Sequence, residues 1–165
     1  MMGRQTARIG LLAVAIAGTT AVAAQDPQKR ITPAEVAWPA GASTGTALVG
    51  LSGVSGTQTV TLKGDPTKPG LYALLLRVGP NTKIQAHSHP DDRVATVVSG
   101  DWYFGYGREF NEAALKLLPP GSFYTEPPGM DHFAMTKATG VVIQITGTGP
   151  SGTTYADPKN DPAKR

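Results

Sequence analysis

The chain has 165 residues, the size of one domain, and can bury a core without disulfides. It has no cysteine, which excludes thiol catalysis, zinc–thiolate centres and disulfides. The net charge is only +3 and forms no basic cluster along the sequence, which argues against a nucleic-acid partner.

In chain order, residues 1–24 read as a secretory signal peptide. Arg4 and Arg8 form a basic start, Ile9 to Ala17 is an apolar stretch too short for a comfortable membrane span, and Val22-Ala23-Ala24 resembles a cleavage site. The arginines are not adjacent, so there is no twin-arginine pair. The expectation is export unfolded to a periplasmic or secreted location, with no membrane association after cleavage. Losing residues 1–24 removes two positive charges and no negative one, taking the net charge from +3 to +1. Residues 25–45 form a polar, Pro-rich arm with a one-turn helix expected near Pro33-Ala34-Glu35-Val36.

Residues 46–156 carry the β-rich core, and 157–165 a polar tail expected to fray. With 20 glycines and 14 prolines between short apolar runs, the composition favours a turn-rich β protein. Strands are expected at 47–50, 57–63, 71–78, 83–89, 93–99, 102–106, 122–125, 132–136 and 141–146. The run Leu71 to Val78 reads as buried on both faces, and Gly100-Asp101 as a hairpin turn. Arg108 to Ala114 is the best helical candidate after the leader. In the aromatic stripe Trp102, Tyr103, Phe104 and Tyr106, alternate members are expected in the core, as are Phe123 and Phe133. Strands every 8–12 residues with turns between them are the pattern of a sandwich or small barrel.

All three histidines lie in two short segments. His87 and His89 are two apart on an expected strand, so they share a face. If that face is the inside of a curved sheet, both imidazoles converge, and His132 supplies a third nitrogen from another strand. A lone His-x-His pair also occurs by chance on exposed strands, so the residues alone leave both readings open.

The spacing of Gly79, His87, His89 and Gly100, followed by Gly121, Pro127, Gly129 and His132, resembles the two signature motifs of the cupin superfamily. Gly64-Asp65-Pro66 through Gly70, and the closing Gly147-Thr148-Gly149-Pro150 with Tyr155, are similar to small exported single-domain cupins. The resemblance implies an all-β, single-domain small β-barrel of jelly-roll (double-stranded β-helix) type. It also implies a divalent transition metal on His87, His89 and His132. Three imidazoles suit zinc, iron, nickel, cobalt or copper. If the protein is an enzyme, oxygen chemistry or isomerisation of a small polar molecule is implied, and homodimers are common in the family.

Two positions depart from the pattern. Arg93 (or Val94 with looser spacing) stands where the family has a glutamate ligand, and Thr136 where it has an asparagine. Three readings follow: a three-histidine centre, the same centre with Asp91 or Asp92 added, or a metal-free pocket in which Arg93 docks a small anionic or sugar-like ligand. Arg93, Tyr106 and Gln144 are the candidate ligand-binding residues, with Tyr124 and Glu126 nearby and Glu126 expected on a rim. The direction of Arg93 is expected to discriminate: inward for the anion pocket, outward for an undisturbed metal centre.

Overall fold

The computed structural model describes residues 28–40 and 52–164. The expected leader and the expected strand at 47–50 lie outside these residues. Ten strands are found among them: β1 (Thr57–Lys63), β2 (Gly70–Val78), β3 (Lys83–Ser88), β4 (Arg93–Ser99) and β5 (Trp102–Tyr106), then β6 (Lys116–Leu118), β7 (Phe123–Glu126), β8 (His132–Met135), β9 (Val141–Gly149) and β10 (Thr154–Tyr155). They form two five-stranded sheets, ordered β1-β2-β9-β4-β7 and β10-β3-β8-β5-β6. Every pairing is antiparallel. From β2 onward the chain passes repeatedly between the sheets, so the two inner faces interleave residues distant in sequence. The core between them includes Tyr72, Leu74, Val97, Phe104, Ala134 and Ile143.

The turn at Gly100-Asp101 is not a hairpin, because β4 and β5 belong to different sheets. It carries the chain across the sandwich. Gly100 has φ +77°, and a Cβ there would run into the carbonyl of Gly140, so the crossing requires glycine.

The run in β2 is not buried on both faces. Tyr72, Leu74, Leu76 and Val78 are buried, whereas Ala73, Leu75 and Arg77 are half-buried on the outer face. Part of that outer face lies beneath the N-terminal arm, which contains the expected single turn as a 3-10 turn at Pro33–Glu35. The Arg77 guanidinium stacks 3.8 Å from the Trp38 ring centroid. Lys29 Nζ donates to the Leu62 carbonyl at 2.9 Å, and Gln58 Nε2 to that of Pro39 at 2.9 Å.

The expected helix at 108–114 is only a 3-10 turn, Glu112–Ala114. Seven residues are too few to sustain an α-helix alone. The Asn111 carboxamide closes the turn by accepting from the Ala113 N–H at 3.0 Å. Phe110 in this loop packs on Phe133 at 5.2 Å between centroids, so Phe133 is buried on the outer face of its sheet rather than in the central core. Phe123 is 62% exposed, because Tyr124 and Glu126 take the inward positions of β7. β9 runs on to Gly149 and β10 pairs with β3, and the polar tail contains 3-10 turns at Pro158–Asn160 and Pro162–Lys164.

Asp91 fastens the turn after β3 from inside. Its carboxylate accepts from the hydroxyls of Tyr72 and Ser151, each at 2.6 Å, and all three residues are buried. Replacing Asp91 by alanine leaves two buried donors without acceptors, at about 1–3 kcal/mol each. The expected result is a lower urea midpoint with an unchanged slope.

Candidate metal centre

Beyond a register shift between Ile84 and His87, β3 sets His87 directly opposite His132 of β8, and His89 follows one residue after the strand ends at Ser88. That pairing brings the first residue of β8 to the strand end that carries the other two histidines. The rings cluster tightly: centroids are 5.0 Å apart for His87–His89, 4.4 Å for His87–His132 and 5.2 Å for His89–His132. One nitrogen from each lies within 4.8 Å of the others. All three residues are buried, at 5%, 3% and 2% exposure.

Which nitrogens face inward follows from the hydrogen bonds. His87 Nδ1 lies 2.7 Å from the Gln85 carbonyl, His89 Nδ1 2.6 Å from that of Gly152, and His132 Nδ1 3.1 Å from that of Met130. A carbonyl only accepts, so each Nδ1 carries the proton and each Nε2 keeps a lone pair. Three outer-shell carbonyls therefore aim three Nε2 acceptors at one point, as in metal-ligating histidines.

Burial, the largest cause for each ring, holds the histidines neutral. His87 is lowered to about 3, with His132 the next cause, and His89 to about 2, with Arg93 the next cause. His132 is lowered too, mainly by burial. As pH falls below about 6.5, the unfolded chain takes up protons that the folded one refuses, so stability drops with falling pH. Each histidine contributes up to about 1.4 kcal/mol per pH unit within that window. The metal-free protein is therefore expected to unfold at clearly lower urea at pH 5 than at pH 7.5, and His87→Ala should flatten the dependence.

Arg93 points inward and is 3% exposed, but it does not stand alone. The β4–β7 register sets Arg93 opposite Glu126, and Arg93 Nη2 lies 2.7 Å from Glu126 Oε2. Glu126 is also buried, not on a rim. Burial alone would raise its carboxyl, but the charge of Arg93, the largest opposing cause, brings it down to about 2. Its Oε2 lies 3.7 Å from His89 Nε2 and 3.8 Å from His132 Nε2. It makes no hydrogen bond of good geometry, so it is ion-paired to Arg93 while still facing the imidazoles. Neither turn aspartate joins this group: Asp91 is spent on Tyr72 and Ser151, and Asp92 is exposed.

The cavity at the histidines is only about 30 Å³, room for one water-sized occupant. Besides the histidines, Arg93 and Glu126, its walls include Trp102, Phe104 and Tyr124. The buried Trp102 indole N–H has no hydrogen-bond acceptor, although the Tyr124 phenol lies close enough to feel it. Phe104 and Tyr124 are also walls of an outer groove of about 410 Å³ between β5–β6 and β7, and Tyr106 lines that groove. The Tyr106 hydroxyl spans it, donating to the Thr125 carbonyl at 2.6 Å. Gln144 lies away from both cavity and groove. Its neighbours Ile143 and Ile145 take the inward positions of β9, so it faces the outer side, where its amide donates to the Thr146 hydroxyl at 2.7 Å.

No protein-family model matches the chain, and no curated protein is similar to it. Solved structures do share its fold. The polyketide cyclase RemF from Streptomyces resistomycificus aligns with a TM-score of 0.58 at 17% identity, over 84% of this chain and 92% of that one. The DMSP lyase DddQ from Ruegeria pomeroyi DSS-3 aligns at 0.51 and 16% identity, over 59% of this chain but only half (50%) of DddQ. An RmlC-like cupin from Shewanella frigidimarina NCIMB 400 gives 0.47 and 22%, over 56% and 76%. The chain has the cupin fold.

Within that fold, the two motif segments supply the clustered histidines, and Thr136 serves the scaffold. It is fully buried, donates to the Gly79 carbonyl at 2.6 Å and accepts from the Thr82 N–H at 3.0 Å, tying down the turn between β2 and β3. From the sequence, Glu126 is expected on a rim, outside the site. The available signal was parity: Glu126 is two residues from Tyr124 on one strand, so both share a face.

Proposed function

We propose that this protein binds a divalent transition metal through Nε2 of His87, His89 and His132, and that the bound metal holds a small polar molecule. The observation that carries this reading is the convergence of three neutral imidazole lone pairs, each fixed by an Nδ1–carbonyl hydrogen bond, in a buried space of one-water size. Gathering three acceptors face to face is unfavourable in a low-dielectric interior, and a cation relieves it. Zinc, iron, nickel, cobalt and copper all accept imidazole donors.

When bound, such a metal supplies Lewis-acid polarisation of a ligand oxygen. The chain contributes the rest. The Trp102 N–H, buried beside the Tyr124 phenol without a hydrogen bond of good geometry, can donate to an oxygen of the guest, and Phe104 and Tyr124 line both the cavity and the outer groove, the natural approach for a small molecule. That RemF is a polyketide cyclase and DddQ a lyase supports small-molecule chemistry on this fold. The rival pocket, with Arg93 docking an anion, is less favoured, because Glu126 already neutralises that guanidinium. The leader-like residues 1–24 support export to the periplasm or beyond, and the N-terminal sequence of the mature protein tests it.

The decisive experiment is elemental analysis of untagged protein beside a His87→Ala, His132→Ala double variant. Near-stoichiometric metal in the first and none in the second is expected. A protein that remains metal-free after incubation with first-row divalent ions overturns the proposal.

A further inference from the structure

We infer that Glu126 is a fourth donor of this centre, taking over from the neighbouring strand the role that Arg93 vacates, and that Arg93 is its positioning residue. The inference rests on the metal reading above.

Four observations carry it. First, the Arg93–Glu126 pairing of β4 and β7 puts the carboxylate across the strand from the residue that replaces the expected glutamate. Second, Oε2 lies 3.7 and 3.8 Å from two of the inward nitrogens, nearer than the 4.8 Å limit within which the nitrogens themselves gather. Third, this oxygen is buried and makes no hydrogen bond of good geometry. A carboxylate offers about four lone-pair sites, and the Arg93 guanidinium and the nearby Tyr124 phenol do not use them all. Fourth, Arg93 is itself buried and lies 2.7 Å from this oxygen, which holds the carboxylate in place beside the imidazoles.

The pairing also has a chemical consequence. Three imidazoles alone favour zinc, nickel or copper, whereas an added carboxylate oxygen brings manganese(II) within range. Arg93 and Glu126 cancel in charge, so a divalent ion retains its full +2 and favours a guest with an anionic oxygen over a neutral one.

The test titrates metal-free protein with manganese(II), followed by electron paramagnetic resonance, and with zinc(II), followed by calorimetry. The wild type is expected to bind both. Glu126→Gln is expected to bind manganese at least about 10-fold more weakly, with a smaller change for zinc. Should that variant not fold, the Arg93→Met, Glu126→Gln double variant removes both charges together and gives the same readout. A wild type that takes zinc but not manganese overturns the inference, as does a variant that holds manganese as tightly as the wild type. In both cases the three-histidine reading stands. A wild type that binds neither ion overturns both.

Discussion

Replacing Arg93 by methionine is expected to lower the unfolding free energy by about 3–5 kcal/mol, the largest single-residue effect foreseen here. The guanidinium is buried beside a buried carboxylate at 2.7 Å, and removing it leaves Glu126 charged with no equal partner. The remaining neighbours are neutral imidazoles, which cannot compensate while their basicity is depressed. Glu126 would then either take up a proton or draw water into a space of about 30 Å³. Adding Glu126→Gln to the same chain is expected to restore part of the loss, because deleting both charges avoids the uncompensated ion. Chemical denaturation of the two single variants and the double variant measures this directly. A single variant as stable as the wild type would show that the pair contributes nothing to folding.

The second large effect is the response to metal. An ion that binds only the folded chain, present at a thousand times its dissociation constant, stabilises by about 4 kcal/mol. At roughly 2–4 °C per kcal/mol for a chain of this size, the melting temperature should rise by about 10 °C. The rise should vanish on chelation and be absent in His132→Ala, which removes the donor contributed by β8. It should also shrink below neutral pH. Metal and protons compete for the same three nitrogens, and the metal-free fold is itself weaker there. An equal rise in His132→Ala would place the ion elsewhere on the protein.

Much of this fold is written in local patterns. The alternation in Thr57–Lys63 and Arg93–Ser99 predicts strands whose bounds match β1 and β4. The paired motifs place His87, His89 and His132 in one site before any contact is known. What local pattern does not carry is register. Arg93 and Glu126 are 33 residues apart, and only the β4–β7 alignment shows that one neutralises the other. The expected choice between an inward and an outward Arg93 therefore had a third outcome, inward but paired. Parity explains the smaller differences: Gln144 and Phe123 lie one residue off the inward set of their strands. Strands of three and two residues, β6 and β10, are too short to leave any periodicity.

β10 bears on how the site comes to exist at all. Its Tyr155 pairs with His87 and hydrogen-bonds to the Ser52 carbonyl, and just before it Gly152 supplies the carbonyl that orients His89. That carbonyl lies 63 residues downstream of the histidine it aims. A nascent chain that has reached Met135 already holds every histidine, yet one ring lacks the group that fixes its proton. The centre is thus completed only by long-range closure, and a ribosome-bound chain that stops short of Gly152 has the donors without the full geometry. Competence to capture an ion should appear abruptly, when residues 151–155 dock, rather than growing as each histidine emerges.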